Sequence, residues 1–426
     1  MTLQPVFLRT QSCGSLPTMS NCELITIGSE LLNGSVLNTN AQFLSNRITK
    51  LNIDVVHQVT CRDREGEIVE CLRTAFGRSD LIIVTGGLGP TPDDITREAI
   101  ACYFRCELKF DAGQYRQIVA YFKRVRKTPP FMTKREAYRP EIAKPLINRF
   151  GIALGFYIET KGKLLVVLPG VPRELINMYE TTVEQLVVRK FKDRIPVHVL
   201  EARIVGLYET EIMRKLKNSF FKNRAFEFGI YPEIGEVIIR IKSPEKGLIS
   251  TLRREMSQRL GFNLYNFDGQ TLPEVLGQKL VTKKLTLSVA ESCTGGLLSE
   301  RLTNASGASK FFKGGVIAYS NEIKKEKIGI PAEDLKKYGA VSKEVAQKLA
   351  QGVRLRLNTS LGISITGIAG PTGGSKKKPV GLVYIGISDR TKTHVWQYQL
   401  SGERSKVRLQ AAQKALYLLY QWLNKK

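Results

Sequence analysis

Short apolar runs that end in glycine-bearing turns constrain this chain more than any other feature. Leu24–Ile27 runs into Gly28, Leu81–Val84 into Thr85-Gly86-Gly87, and Lys163–Leu168 into Pro169-Gly170-Val171-Pro172. Asn40–Leu51 carries Ala41, Phe43, Leu44, Ile48 and Leu51 at helical spacing, Ile53–Val59 reads as a strand, and Glu65–Phe76 sets Ile68, Val69, Leu72, Ala75 and Phe76 on one helical face. Uninterrupted apolar strands suit a sheet buried on both faces. The β-α-β-α-β alternation therefore predicts an α/β unit with a parallel sheet and helices on both sides. In such sheets ligands sit outside the carboxyl ends of the strands, where these turns lie.

The pattern returns in the last third. Leu272–Leu280 predicts a helix, and strand Leu285–Ala290 enters Glu291-Ser292-Cys293-Thr294-Gly295-Gly296 before a helix from Leu297. Further strands are expected at Gly315–Ala318, Leu361–Ile365 and Leu382–Ile387, with helices at Lys343–Leu357 and Glu403–Leu423. The middle differs: strands near Val197–Val205 and Glu236–Ile241 flank a helix near Glu209–Lys217, with no Gly-x-x-Gly loop to grip RNA. Asn266–Thr271 reads as a linker. These breaks predict a disordered extension at 1–20, domains at 21–190, 191–268 and 269–426, and a start at Met19 as the alternative account of the acid-free extension.

Composition narrows the classes. The 426 residues are 42% hydrophobic and 24% charged, which excludes a wholly disordered chain, collagen and a coiled-coil rod. No apolar run reaches the roughly 18–20 residues that span a bilayer. Seven cysteines, with no C-x-x-C pair, fit a reduced, cytoplasmic setting. Lys and Arg exceed Asp and Glu by 65 − 39 = 26. That excess suits nucleic acid or phosphorylated small molecules.

The turns carry the candidate chemistry. In Thr85-Gly86-Gly87-Leu88-Gly89-Pro90-Thr91-Pro92-Asp93-Asp94, glycines let a backbone approach phosphate, and Asp93 and Asp94 can hold a hard cation. The alternative is a plain turn with Asp94 as the helix N-cap. Glu30, after the first strand, joins the two aspartates if the loops converge. In the last domain Ser292 and Cys293 stand at a strand-to-helix turn, a place where nucleophiles recur and where the helix N-terminus favours negative charge. The alternative is a tight turn with Ser292 as a cap and Cys293 in the core. Lys324 follows strand Gly315–Ala318, and a desolvated lysine can deprotonate serine; Tyr319 can orient it or relay its proton. A third loop, Thr366-Gly367-Ile368-Ala369-Gly370-Pro371, offers backbone donors for an oxyanion or a phosphate.

The stretches ITIGSELLNGSVLNTN, VTGGLGPTPDDITREA and LPGVPREL resemble the N-terminal domain of the CinA family, a relative of the MoaB/MogA fold. AESCTGGLLSERLT, GASKFFKGGVIAYSNEIK, YGAVSKEVA and ITGIAGPTGGSKKKPVGLVY resemble its C-terminal, PncC-type domain, and the middle unit resembles the family's small KH-like domain. The first resemblance implies a metal-dependent hydrolase of ADP-ribose, with Asp94, Asp93 and Glu30 around a magnesium-like ion and Thr85, Gly86, Gly87 and Gly89 on the pyrophosphate. Asn38 stands where the family usually has Asp, and Ile152 where it has Thr; both departures suit a module that binds a nucleotide or a molybdopterin-like ligand without turnover.

The second resemblance implies an amidase that converts nicotinamide mononucleotide to nicotinate mononucleotide and ammonia, with no cofactor. Ser292 is then the nucleophile, Lys324 the base, Tyr319 its helper, and Thr366 with the Gly367 amide the oxyanion group. Arg404 takes the phosphate through its forked donors. Thr294, Gly295, Gly296, Asn321 and Gly370 complete the substrate site. The expected partners are small-molecule nucleotides and a second copy of the chain in a homodimer, without a membrane. Nucleic acid is not needed to explain the charge, although a competence- or repair-associated binding protein remains the third reading.

Overall fold

The computed structural model describes residues 20–192, 197–222 and 226–424. They fall into two compact units, 20–192 and 197–424. Apart from Ser20, the extension expected at 1–20 lies outside the described residues.

In the first unit the strands are β1 (Asn21–Ile27), β2 (Asp54–Cys61), β3 (Leu81–Thr85), β4 (Leu108–Phe110), β5 (Tyr138–Pro140), β6 (Lys144–Leu146), β7 (Gly155–Thr160) and β8 (Lys163–Leu168). The described residues build one sheet in the order β2-β1-β3-β8-β7-β6, with β4 and β5 paired apart from it. β2, β1, β3 and β8 run parallel, as expected. β7 and β6 do not: each is antiparallel to its neighbour. The reason is the connection. Lys161 and Gly162 alone join β7 to β8, both at positive φ (46° and 81°). Two such residues make the turn that suits a hairpin, whereas a parallel crossover needs a dozen residues or more.

Side-chain alternation along the strands explains the two-faced core. Leu24, Leu81, Ile83, Leu164 and Val166 meet helices Thr39–Lys50 and Pro172–Met178 on one face. Ile25, Ile82, Val84, Leu165 and Val167 meet helices Glu65–Arg78 and Thr96–Phe104 on the other. All β1–β3 and β8 carboxyl ends therefore open at one edge, each followed by its turn.

The second unit contains two sheets. β9 (His198–Val205), β10 (Glu227–Glu233), β11 (Glu236–Ser243) and β12 (Leu264–Asn266) pair antiparallel in the order β10-β11-β9-β12. Helices Glu209–Phe221 and Lys246–Leu260 cover one side through Ile212, Leu216, Phe220, Leu252, Met256 and Leu260. Sequence reading missed β10, β12 and the second helix. In that helix only Leu252, Met256 and Leu260 are buried, a narrow stripe amid arginine and polar residues.

β13 (Leu287–Glu291), β14 (Phe312–Ile317), β15 (Leu361–Gly367), β16 (Leu382–Ser388) and β17 (Thr393–Gln399) form the other sheet, in the order β14-β13-β15-β16-β17. β13 is parallel to both neighbours, while β16 and β17 are antiparallel additions. Helices Leu272–Thr282 and Arg404–Asn424 pack on one face and Lys343–Arg356 on the other. Val205 and Tyr265, from the smaller sheet, belong to the same core as Leu416 and Tyr420, and the Phe262 ring lies 4.9 Å from Tyr420. The middle segment and the last domain thus share packing. The stretch read as a linker is an ordered turn: Asn266 Oδ1 accepts from the Asp268 and Gln270 amides, and Thr271 with Glu274 makes a capping box.

Candidate active site at the Ser292 turn

β13 and β15 lie side by side, so the turns that leave them meet. The Ser292 amide donates to the Ile365 carbonyl at 2.9 Å, which fixes the nucleophile candidate against the end of β15. Ser292 is 8% exposed and Lys324 1%. The Lys324 Nζ reaches Ser292 Oγ at 3.2 Å and the Tyr319 carbonyl at 3.0 Å. Burial pushes the Lys324 ammonium below the usual lysine range, since charge is disfavoured away from water. Cys293, the competing nucleophile, is pushed up to about 12 by burial; its thiolate is inaccessible near neutrality.

Glu291, which sequence reasoning gave no role, organises this turn. Its carboxylate is 1% exposed. It accepts from the amides of Gly296 (3.0 Å), Leu298 (3.0 Å) and Ser299 (2.8 Å) and from Ser299 Oγ (2.7 Å). The helix Leu297–Thr303 therefore has its first N–H groups consumed by an internal carboxylate. The expectation that this terminus stabilises negative charge at Ser292 is corrected on that ground. A buried acidic residue ending an apolar strand was the available signal.

The other expected residues divide. Tyr319 contacts Lys324 through its backbone carbonyl, not its ring; its hydroxyl accepts from Arg404 Nη2 at 2.9 Å, and the residue is 58% exposed. Arg404 Nη1 donates to the Gly370 carbonyl at 2.8 Å, so Arg404 ties the Tyr319 and Gly370 loops together. Thr366 is fully buried and its hydroxyl donates to Ala340 O at 2.8 Å. Gly367 has no room for a side chain: a Cβ there would stand 2.7 Å from Leu382 O. Asn321 is exposed and opens the short helix Asn321–Ile323. Thr294, Gly295 and Gly296 lie in the Ser292 turn itself, and Arg408, one helical turn beyond Arg404, donates to Thr294 O at 2.8 Å.

In the first unit, the turns after β1, β3 and β8 do converge. Thr26, Glu30, Asn38, Asn40, Thr85, Gly170 and Pro172 line a cleft of about 100 Å³. Thr85 Oγ1 donates to Pro169 O at 2.8 Å, and Asn40 Nδ2 to Gly170 O at 2.7 Å. Asn38 is committed to structure: its Oδ1 caps the helix at the Ala41 amide (3.0 Å) and its Nδ2 donates to Thr26 Oγ1 (3.1 Å). Asp94 does not cap the helix Thr96–Phe104, whose N-cap is Ile95. It instead closes its own turn, accepting from the Thr91 amide at 3.0 Å. Asp93 is exposed, its carboxyl held low by a hydrogen bond from Thr91.

Gly86, at φ 109°, abuts the Ile27 carbonyl, where a Cβ would stand at 2.1 Å; Gly87, at φ 63°, abuts Thr96 Oγ1 at 2.2 Å. Close packing onto β1 and the following helix thus accounts for both glycines. Gly89 sits over the Asp94 carboxylate, 2.5 Å from where its Cβ would be. Among the described residues, no three His, Cys, Asp or Glu side chains gather to hold a metal ion. Among the described residues, no helix is long and apolar enough to cross a membrane.

Residues 23–189 match the family model of a probable molybdopterin binding domain, and 269–423 that of the CinA C-terminal domain. A protein of Thermoanaerobacter pseudethanolicus, provisionally named competence-damage inducible protein, is 39% identical over 94% of this chain and 98% of its own. A CinA-like protein of Kosmotoga olearia is 40% identical over 92% of this chain and 97% of its own. Among solved structures, the CinA protein of Thermoplasma acidophilum is 31% identical, spanning 39% of this chain and 98% of that one with a TM-score of 0.37. Two domain models in sequence order and relatives matched over nearly their full length lead to one conclusion: the chain belongs to the CinA family.

Proposed function

We propose that the last domain is an amidase that hydrolyses the carboxamide of nicotinamide mononucleotide to nicotinate mononucleotide and ammonia. The observation that carries this reading is the buried Ser292–Lys324 pair at 3.2 Å, with the lysine depressed by desolvation. A neutral Lys324 takes the Ser292 proton as Oγ attacks the carboxamide carbon. The carbonyl oxygen gains the electron pair, then returns it as the C–N bond breaks. Lys324 gives its proton to the departing nitrogen, which leaves as ammonia. Water, deprotonated by the same lysine, frees the acid and regenerates Ser292. Tyr319 touches Lys324 through its backbone carbonyl and holds Arg404 through its hydroxyl. No metal takes part in these steps.

The test is ammonia release from nicotinamide mononucleotide by the full chain, beside Ser292→Ala. The variant is expected to keep the melting temperature and lose at least about 10³-fold in rate, the scale set by removing a nucleophile. Activity retained by Ser292→Ala refutes the assignment.

For the first unit we infer a nucleotide- or pterin-binding module without turnover. Asn38 and Asp94 support it, because both side chains are spent on local structure. ADP-ribose titrated into the chain is expected to bind without yielding AMP, with or without added divalent metal. AMP formation that requires the metal would restore the pyrophosphatase reading.

A further inference from the structure

Between Asp111 and Glu136 the chain carries Arg116, Lys123, Arg124, Arg126, Lys127, Lys134 and Arg135 and not one acidic residue. The acids that bracket or touch this stretch are engaged. Asp111 pairs with Arg139 at 3.2 Å, Glu98 with Arg135 at 2.8 Å, and Glu136 is buried. The six cations other than Arg135 are exposed and have no ion-pair partner among the described residues. Arginines on other helices of this unit are neutralised, Arg47 by Glu184 and Arg73 by Glu70. Helix Ala112–Arg124 buries Gln114 and Ile118 and exposes Arg116, Val119, Lys123 and Arg124. Cations near a helix C-terminus complement its dipole, which accounts for Lys123 and Arg124. Arg126, Lys127 and Lys134 lie beyond that helix and are not explained by it. The turn Phe131–Ala137, packed against the helix, presents apolar side chains among these charges. Phe131 is 90% exposed and Met132 50%. Pro129 and Pro130 stiffen the approach to them. The Thr133 hydroxyl and amide both donate to Pro130 O, at 2.6 and 3.0 Å, and Thr133, Glu136 and Ala137 are buried. An ordered, anchored turn therefore holds two apolar side chains in water, and exposed apolar surface rimmed by charge marks an interaction site.

We propose that this face of the first unit docks on an anionic lipid surface, with Phe131 and Met132 entering the boundary of the acyl chains and the six unpaired cations meeting headgroup phosphates. Clusters of this many Lys and Arg beside a helix are attracted by an anionic leaflet, and buried apolar area adds to that attraction. Basic residues with aromatic ones also suit single-stranded nucleic acid, which binds by stacking bases on open rings. Open rings are scarce here. Tyr115, Tyr121 and Phe122 are half-buried. The Arg124 guanidinium lies over the Tyr121 ring at 5.4 Å and the Lys134 ammonium over Phe110 at 5.7 Å. Phe131 is then the ring left for a base, whereas Met132, Val119 and Val125, also exposed, offer a base no π-face. Hydrocarbon rewards all four. The contact is attachment to a surface and needs no spanning helix. It adds a membrane to the partners expected from the sequence, and it does not depend on the chemistry at Ser292.

The test is flotation of the full chain with vesicles of phosphatidylcholine alone or of equal parts phosphatidylcholine and phosphatidylglycerol. The parent is expected to float with the anionic vesicles only, and less as salt rises. Lys123→Glu with Lys127→Glu is expected to weaken this binding about 10–30-fold, at about fivefold for each cation lost. Lys246→Glu with Arg254→Glu makes the same change in net charge at exposed positions of the other unit, and is expected to cost less than about threefold. That pair separates this face from the bulk excess of 26 positive charges. Phe131→Ser with Met132→Ser is expected to weaken binding about 10-fold while the melting temperature holds, since both side chains are exposed. Insertion is read directly with Phe131→Trp, whose added emission, measured against a parent with Trp396 and Trp422 in the other unit, is expected to shift to the blue on anionic vesicles. Equal losses in the two charge pairs, an unshifted emission in Phe131→Trp, or no flotation of the parent overturns the proposal. A single-stranded thymidine oligonucleotide bound in preference to vesicles, and lost in Lys123→Glu with Lys127→Glu, overturns it in favour of nucleic acid.

Discussion

Glu291→Gln is the perturbation that most directly tests how the Ser292 turn is held. The carboxylate accepts four hydrogen bonds of 2.7–3.0 Å at 1% exposure. A carboxamide offers one oxygen, and its NH₂ faces donors it cannot satisfy. About two bonds are lost, each worth about 1.5–3 kcal/mol when the acceptor is charged. The remaining bonds become neutral, so a total of about 3–5 kcal/mol is expected. At about 2–4 °C per kcal/mol for a unit of this size, the transition of residues 197–424 falls by about 6–20 °C. Calorimetry on the full chain reads this, with Glu300→Gln as control. Glu300 is exposed and its carboxylate accepts from Asn304 Nδ2 at 2.7 Å, so its change should stay within about 0.5 kcal/mol. Ammonia release should fall together with the Glu291→Gln transition temperature, since the turn carries the nucleophile. A shift under about 3 °C with full activity would refute the view that Glu291 fixes this turn.

Two further outcomes depend on pH. Lys324 is depressed from 10.5 by burial, so the folded chain binds fewer protons there than the unfolded one; stability should rise with pH from its folded pKa up to about 10.5. kcat/KM should rise with pH as Lys324 loses its proton and level off below the free-lysine range. Lys324→Met should remove that stability slope and cost about 10²–10⁴-fold in rate, read by denaturant titration and ammonia release across pH. In the first unit, burial raises the Glu136 carboxyl from 4.5 to about 7, and its Oε2 has no partner among the described residues. Its contribution to stability is complete below pH 4.5 and is lost as pH rises through about 7. Glu136→Gln should therefore raise stability at pH 8 by about 2–3 kcal/mol and change little at pH 4, measured by denaturant titration of that unit.

Much of the fold was legible because it is local. The apolar runs became β1, β3, β8, β13 and β15, and the glycine-bearing turns fell where periodicity put them. Strands whose burial is one-sided were harder. β17 alternates exposed and half-buried residues at a sheet edge, and β10 carries Gly229 and Pro232, so neither shows a continuous apolar run. The direction of β7 was hidden as well, since it depends on two left-handed residues, Lys161 and Gly162, rather than on hydrophobic pattern.

The sequence by itself determined the α/β character of both ends, the strand-to-turn placement of Ser292, and the nomination of Lys324 as its base. Those follow from spacing, which chain-neighbour chemistry sets. Tertiary structure decided what each side chain is free to do, because that depends on partners far away in sequence. It joined Ser292 to Lys324 across 32 residues. It committed Thr366 to Ala340, Tyr319 to Arg404 and Asn38 to Thr26, and left the Thr294 hydroxyl without a partner among the described residues. A hydrogen bond already made is unavailable for catalysis. That competition for donors and acceptors is fixed only when the sheet brings β13 and β15 together.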